Sequence, residues 1–418
     1  MISSFKKQGR WLLGLIGLYV VAASALNTLV NPLRMEPASL SIAALDPYRE
    51  IGEDLRTGKA GLVRYHRDVE VAIVGSSRFE IGIDPMQPAF KGARVLNVAM
   101  AAAEMHENVA MTRYLMARES HLRQLIFGLD MGDLSSDVDS RTFTNFYTSP
   151  LSETAVSLDP KIRHVVGIGS LEESFLTLSY FVRCQAISHS PFGLWLTPRH
   201  PKNLRNYLTI NNEATFHRVP DMWGLRSQTL REAKVEKLRA LFIDLRRRGV
   251  QVLVAIPPQL AVKQLHPTLD IPLIAPWSTE RRAIYDLCRE VNAVDILGAP
   301  VIQLWDFATF NEQTCVALPP ISGSVHQLPH WFDMGHFDVT IGRAMVECML
   351  GESTLSVDQP LSARFGVNVL KEGIEAHLEG LRLGHVRYCQ EHPDDVAWAR
   401  SVFPKNNLKQ SGDSDEAE

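Results

Sequence analysis

Apolar and polar positions switch between two periods along the chain, and the switching predicts the elements. Residues 69–74, 94–98 and 124–129 are short apolar or β-branched runs; the first is stopped by Gly75 and the third runs into Asp130. Each reads as a strand. Residues 104–118 between the last two read as a helix. Over 227–248, Leu230, Ala233, Leu238, Leu241, Phe242 and Leu245 recur at a helical period, and Gly249 ends the pattern. A continuous apolar run, 250–256, follows and is cut by Pro257 and Pro258. A helix near 279–292, a strand around 301–305 and a helix over 339–350 complete the series. Runs that are apolar on both faces suit covered strands, and their alternation with helices predicts an α/β domain with a mostly parallel sheet.

Two stretches break this rhythm. Over 134–226 the pattern dissolves into Phe143, Phe146 and Tyr147, a helix-like piece at 171–181, and loops bearing Pro and Asn. That reads as a long insertion after the third strand, where substrate selectivity commonly resides. Residues 31–67 are mixed and polar, a lead-in rather than a domain. The predicted organisation is therefore an N-terminal tip (1–10), an apolar segment (11–30), the lead-in (31–67), the α/β domain (68–350) and a helical extension from 351 to 418. That extension carries a helix near 369–383 and ends in a small acidic tail, 412–418, expected to be disordered. No internal repeat is visible.

The N-terminus changes the picture. Residues 11–30 contain no charge and follow Lys6, Lys7 and Arg10. About 20 such residues suffice to cross a bilayer as a helix. The flanking cations place the N-terminus in the cytoplasm and the rest of the chain beyond the membrane, in a periplasmic or other extracytoplasmic compartment. A cleaved signal peptide competes, because Ala23-Ser24-Ala25 offers a small-x-small site; the apolar pattern continuing through Leu26, Leu29 and Val30 favours a retained anchor. A buried core helix is the third reading.

With 418 residues the chain can bury a sizeable core, and 43 Lys+Arg against 47 Asp+Glu leave a formal net charge of -4. No basic stripe or zinc-finger spacing is present, which argues against nucleic acid as a partner. Five cysteines are widely spread, with no C-x-x-C pair to suggest a zinc or thioredoxin site. An exported chain admits one disulfide among them. Cys348, on an apolar helical face with Ala344, Val346, Met349 and Leu350, reads as a buried thiol.

Two motifs carry candidate chemistry. Gly75-Ser76-Ser77-Arg78 follows the first strand, at the edge of an open α/β sheet where ligands bind. The plain alternative is that these serines cap the next helix. Asp333-Met334-Gly335-His336 puts a carboxylate three residues before an imidazole, close enough to accept the ring N–H and set its tautomer. A surface turn or a metal pair are the alternatives, the latter kept open by the nearby His326 and His330. No cofactor or metal is expected.

In this order the blocks resemble the SGNH (GDSL-like) hydrolase superfamily over about 69–350. Gly75-Ser76-Ser77 stands for its first block, residues 97–102 for the Gly block after the second strand, Gly128-Leu129-Asp130-Met131 for the third and Asp333-x-x-His336 for the last. The resemblance implies a three-layer, flavodoxin-like sandwich with Ser77 as nucleophile, His336 as general base and Asp333 orienting it. The backbone N–H groups of Ser77 and Ala102 would contribute to an oxyanion hole. Asp130 departs from the family's Asn, because an ionised carboxylate cannot donate; Arg78 is a candidate replacement donor. The anchor, the Ser76 substitution and the insertion resemble the membrane-tethered branch that O-acetylates alginate-like exopolysaccharides. That resemblance implies an acyltransferase or esterase acting on an acylated envelope polysaccharide beside a multi-pass membrane acyltransferase. A catalytically inactive envelope scaffold of the same fold is the alternative.

Overall fold

Every residue of the first strand is buried, and the sheet grows from it. The computed structural model describes residues 2–51, 54–134, 145–152, 164–185, 187–196, 230–265, 274–319, 328–351 and 364–402. The strands are β1 (Val71–Val74), β2 (Val95–Asn97), β3 (Gln124–Gly128), β4 (Gln251–Ile256), β5 (Gln303–Asp306) and β6 (Val367–Asn368). They form one six-stranded sheet in the order β2-β1-β3-β4-β5-β6. β1 pairs with β2 and β4 with β5 in parallel, and β6 closes the edge antiparallel to β5. The first five strands follow 2-1-3-4-5, an order found in doubly wound sheets. The protein is thus α/β with a mostly parallel sheet. The antiparallel edge was not legible in the sequence, since two residues carry no periodic signal.

The principal helices are α1 (Ile2–Val30), α2 (Leu55–Tyr65), α3 (Ser77–Gly82), α4 (Met105–Met116), α5 (Ile168–Arg183), α6 (Glu232–Arg247), α7 (Ile274–Ala293), α8 (Val339–Leu350), α9 (Val369–Glu372), α10 (Ile374–Glu391) and α11 (Pro393–Val402). The chain divides into two compact units, Met1–Leu125 with Ser140–Thr197 and Ile126–Asp139 with Pro198–Glu418.

In the first unit, α1 includes Gln8–Val30, long and apolar enough to cross a membrane, with mean hydropathy 1.9. The lead-in differs from expectation: it is folded and several of its polar residues are interior. Arg34 and Arg49 are fully buried. Arg34 Nη2 donates to the Arg49 carbonyl (2.9 Å), while Arg49 donates to the carbonyls of Val30 (2.8 Å) and Ile42 (2.9 Å) and pairs with Asp46. Carbonyl oxygens at the end of α1 and in the following turns thus satisfy charges that a pattern of apolar positions assigns to solvent. Burial lowers the Arg34 pKa to about 10, with the charge of Arg49 adding to the effect. α2, capped by Asp54, presses against this turn so closely that a Cβ at Gly61 would lie 1.8 Å from the Leu33 carbonyl oxygen.

In the second unit, β4 and β5 are flanked by α6, α7 and α10. Asp306 at the end of β5 is wholly buried and accepts from Arg281 Nε (2.6 Å) and His377 Nε2 (2.9 Å). Burial opposes its ionisation, but the Arg281 charge and the His377 contact prevail and hold it well below the usual carboxylate range. The C-terminal helices belong to this core, with Leu378, Leu381, Tyr388 and Trp398 buried. All five cysteines are free thiols in the structure, and Cys348 is buried. The expected tail at 412–418, His326 and most of the 134–226 insertion lie outside the described residues.

Candidate functional site

The predicted site residues are distributed over both units: Ser77, Arg78 and Ala102 belong to the first, Asp130, Asp333 and His336 to the second. In the first unit, β1 ends at Val74 and the chain turns at Gly75, where no side chain fits. A Cβ there would lie 2.7 Å from Phe79 Cδ2 and 2.9 Å from Cγ, and Phe79 is fully buried. The Gly75 carbonyl accepts from Met100 N–H (2.9 Å), so the turn is tied to the segment leaving β2.

The capping alternative falls on Ser76 alone. Ser76 has extended φ/ψ, is buried, and its Oγ accepts from Arg78 N–H at 3.4 Å. Ser77 is the first residue of α3 and, like Arg78 after it, is half-buried. Capping and nucleophile roles thus need not compete for one hydroxyl.

The block after β2 is organised by Asn97, whose side chain is fully buried. Its Nδ2 donates to the carbonyls of Phe79 and Ile83, each at 2.8 Å, and its Oδ1 accepts from Ala99 N–H at 3.1 Å. This one amide joins the end of α3 to the loop that carries Ala102. Ala102 is exposed and adopts φ 53°, the left-handed region that favours glycine.

In the second unit the structure brings Asp333 and His336 together. His336 Nδ1 donates to Asp333 Oδ2 at 2.6 Å, and Asp333 Oδ1 accepts from the backbone N–H groups of Gly335 (2.7 Å) and His336 (2.8 Å). Burial opposes ionisation of Asp333, but the His336 hydrogen bond and charge, with Gly335 N–H and Lys263, hold its pKa below the usual carboxylate range. An ionised carboxylate only accepts, so the proton of a neutral ring sits on Nδ1 and Nε2 is the basic nitrogen. The loop is closed by a Trp331–Phe337 bridge and by Phe332 N–H donating to the His336 carbonyl (2.9 Å). Trp331 is core: it is buried and its Nε1 donates to the Gln313 carbonyl at 3.0 Å. His330 pairs with Asp338 at 3.0 Å, and among the described residues no group of three His, Cys, Asp or Glu converges as a metal site.

Asp130 sits just beyond β3, and its N–H donates to Asp133 Oδ2 at 3.0 Å. The residues around it carry no motif that the sequence alone singles out. Glu280, on α7 and buried, accepts from Gly132 N–H (2.7 Å) and Leu134 N–H (2.8 Å). Burial, then the charges of Asp130 and Glu280, push the Asp133 pKa well above its ordinary value, and burial raises Glu280 as well. Asp133 was in plain view three residues after Asp130, but the burial that chiefly raises its pKa is set by the fold. An open hollow lined by His385, Cys389, Pro393 and Val396 lies between α10 and α11 and holds none of the predicted site residues. No family model, curated protein or solved structure matches this chain.

Proposed function

We propose that this chain is a membrane-anchored serine acyltransferase or esterase of the SGNH type, acting on O-acyl groups of an envelope polysaccharide outside the cytoplasm. The single observation that carries the reading is the Asp333–His336 pair, because an ionised carboxylate at 2.6 Å from Nδ1 leaves Nε2 as a general base. The strand–Gly–Ser–Ser turn at Gly75 supports Ser77 as the group that base serves. The apolar helix Gln8–Val30, behind Lys6, Lys7 and Arg10, supports an anchor with its N-terminus in the cytoplasm.

In this reading His336 Nε2 takes the Ser77 hydroxyl proton as Oγ adds to the ester carbonyl carbon, and Asp333 stabilises the resulting imidazolium. The alkoxide leaving group departs with that proton, leaving an acyl-serine. A sugar hydroxyl or water then gives its proton to His336 and attacks the acyl carbon, releasing Ser77. Backbone N–H groups at Ser77 and Ala102 serve the oxyanion, with Arg78 as a cationic complement. A multi-pass membrane acyltransferase is the proposed source of the acyl group.

A second reading, an inactive envelope scaffold, is favoured by one observation. At the position where the resemblance expects a donating Asn stands Asp130, and loss of one oxyanion donor costs on the order of a hundredfold in rate. Labelling of the full chain in detergent with a serine-directed fluorophosphonate, mapped by peptide mass spectrometry, separates the two. Modification of Ser77 that disappears in Ser77→Ala and in His336→Ala is the expected result; an unlabelled, folded protein favours the scaffold.

A further inference from the structure

Helix α5 has its polarity reversed. Its buried positions are Ser170, Ser174 and Thr177, at 6%, 0% and 2% exposure, spaced four and three residues apart on one face. The opposite stripe, Ile168, Phe175 and Val182, repeats every seven residues and is 75%, 58% and 79% exposed. A water-facing helix on a globular core shows the reverse arrangement. Small and hydroxyl-bearing residues inward with large apolar residues outward is the pattern of a helix whose surroundings are lipid.

The inward face meets α1. Ala23, Asn27 and Val30 are the buried positions of the C-terminal half of α1, again at helical spacing. Asn27 Nδ2 donates to the Val165 carbonyl just before α5 (3.0 Å), and Ser174 Oγ donates to Asn27 Oδ1 (2.9 Å). Both ends of the Asn27 amide are therefore satisfied between the helices, as a polar group near hydrocarbon requires. At its other end, α5 meets the turn that follows the anchor, where Phe181 stacks edge-on against Tyr48 at 5.4 Å.

We propose that α5 is a second membrane element, lying in the interface between headgroups and acyl chains beside the anchor, with the Ile168–Phe175–Val182 stripe turned to lipid. The inference rests on the reading of α1 as a membrane anchor. The 16 residues of α5 are too few to cross a bilayer, and Glu172, exposed toward the same side as the stripe, sets the depth of α5 at the headgroup level rather than the hydrocarbon centre. The occupant of the face is lipid because α5 packs on a helix whose exposed side chains are themselves large and apolar: Leu13, Leu15, Leu18 and Val21 of α1 are exposed to a similar degree. Two contacts with the bilayer instead of one restrict how the first unit can swivel on its anchor.

The test uses the full chain in vesicles of phosphatidylethanolamine and phosphatidylglycerol. Cys184, exposed at the end of α5, is replaced by serine, and an environment-sensitive fluorophore is placed on Ile168→Cys, Phe175→Cys or Val182→Cys. Leu13→Cys on the anchor is the lipid reference and Leu297→Cys, fully exposed, the aqueous one. The expected result is quenching by nitroxide-labelled phospholipid at Ile168 and Phe175 comparable to that at Leu13, with iodide quenching well below that at Leu297. Iodide access equal to Leu297 overturns the inference, and so does shielding from both quenchers, which would assign the face to a protein partner. If Leu13 itself escapes lipid quenching, the anchor reading fails and takes the inference with it; failure at α5 with Leu13 quenched rejects the inference alone.

Discussion

Ala102 occupies a left-handed conformation that its Cβ disfavours by about 1–2 kcal/mol, whereas glycine adopts it without that cost. Glycine also loses about 0.4–1 kcal/mol more chain entropy on folding, so Ala102→Gly is expected to stabilise the protein by up to about 1 kcal/mol, read as a higher midpoint in urea. A lower midpoint would refute the strain. Asp133 makes a prediction of opposite chemical origin. Its folded pKa is raised, so the native state binds more protons than the unfolded one, and stability falls as pH climbs from the ordinary carboxylate range toward the folded value. Glu280 acts in the same direction. Asp133→Asn keeps an acceptor for Asp130 N–H and removes the ionisation, so the fall in Tm between about pH 4 and about pH 8 should shrink; an unchanged slope would show that Asp133 does not hold the proton. Asp333 has the reverse sign: its contribution is complete above the ordinary carboxylate pKa and is lost as pH drops through its depressed folded value. The Asp333–His336 contact was legible in the sequence because a three-residue separation in a tight turn leaves few alternatives. The rise in the Asp133 pKa was not, because it comes first from burial, which the fold supplies, and then from the charges of Asp130 and Glu280.

The strand–turn–helix at Gly75 is the element on which the nucleophile reading depends, and it is closely packed. Gly75→Ala must displace Phe79, which is buried under β1, and overpacking of this kind costs about 1–3 kcal/mol. Gly75→Ala with Phe79→Leu should recover part of that loss in the same denaturation assay; strictly additive effects would show that the two side chains do not compete for this space. The periodic elements were readable in advance: 250–256 as a covered strand and 339–350 as an amphipathic helix are patterns several residues long, and the structure has β4 and α8 there. α2 was missed, because Arg56, Lys59 and Arg64 interrupt its apolar face and Arg56 is neutralised by Glu107 on α4, at 2.9 Å.

At the scale of the whole molecule, the lead-in joins the first unit through buried charge. Lys59 Nζ donates to the carbonyls of Gly193 (2.6 Å) and Asn97 (3.3 Å) and pairs with Glu80 at 3.2 Å, while His189 lies between Glu80 (3.0 Å) and Glu50 (3.2 Å). Lys59 and Glu80 are fully buried. Burial lowers the Lys59 pKa; it also works against ionisation of Glu80, but Lys59 and His189 outweigh it there. Lys59→Met strands the Glu80 carboxylate and should cost about 3–5 kcal/mol, with Glu80→Gln added to it recovering part; a Lys59→Met protein of unchanged stability would mean the pair is not buried in solution.

The sequence by itself determined the features that are local or periodic: an apolar N-terminal helix, alternating strands and helices, a glycine at the β1 turn, and a histidine with its carboxylate three residues away. Tertiary structure alone decided what depends on residues meeting across the chain. It placed an antiparallel edge strand on the sheet, turned Arg34, Arg49 and Lys59 inward onto carbonyls, raised Asp133 beside Glu280, and exposed the apolar side of α5 while its serines face α1. The physical reason is the same in each case: hydrophobic period reports how a segment meets its surroundings on average, whereas burial of a charge or exposure of a phenylalanine depends on which distant groups supply the surroundings.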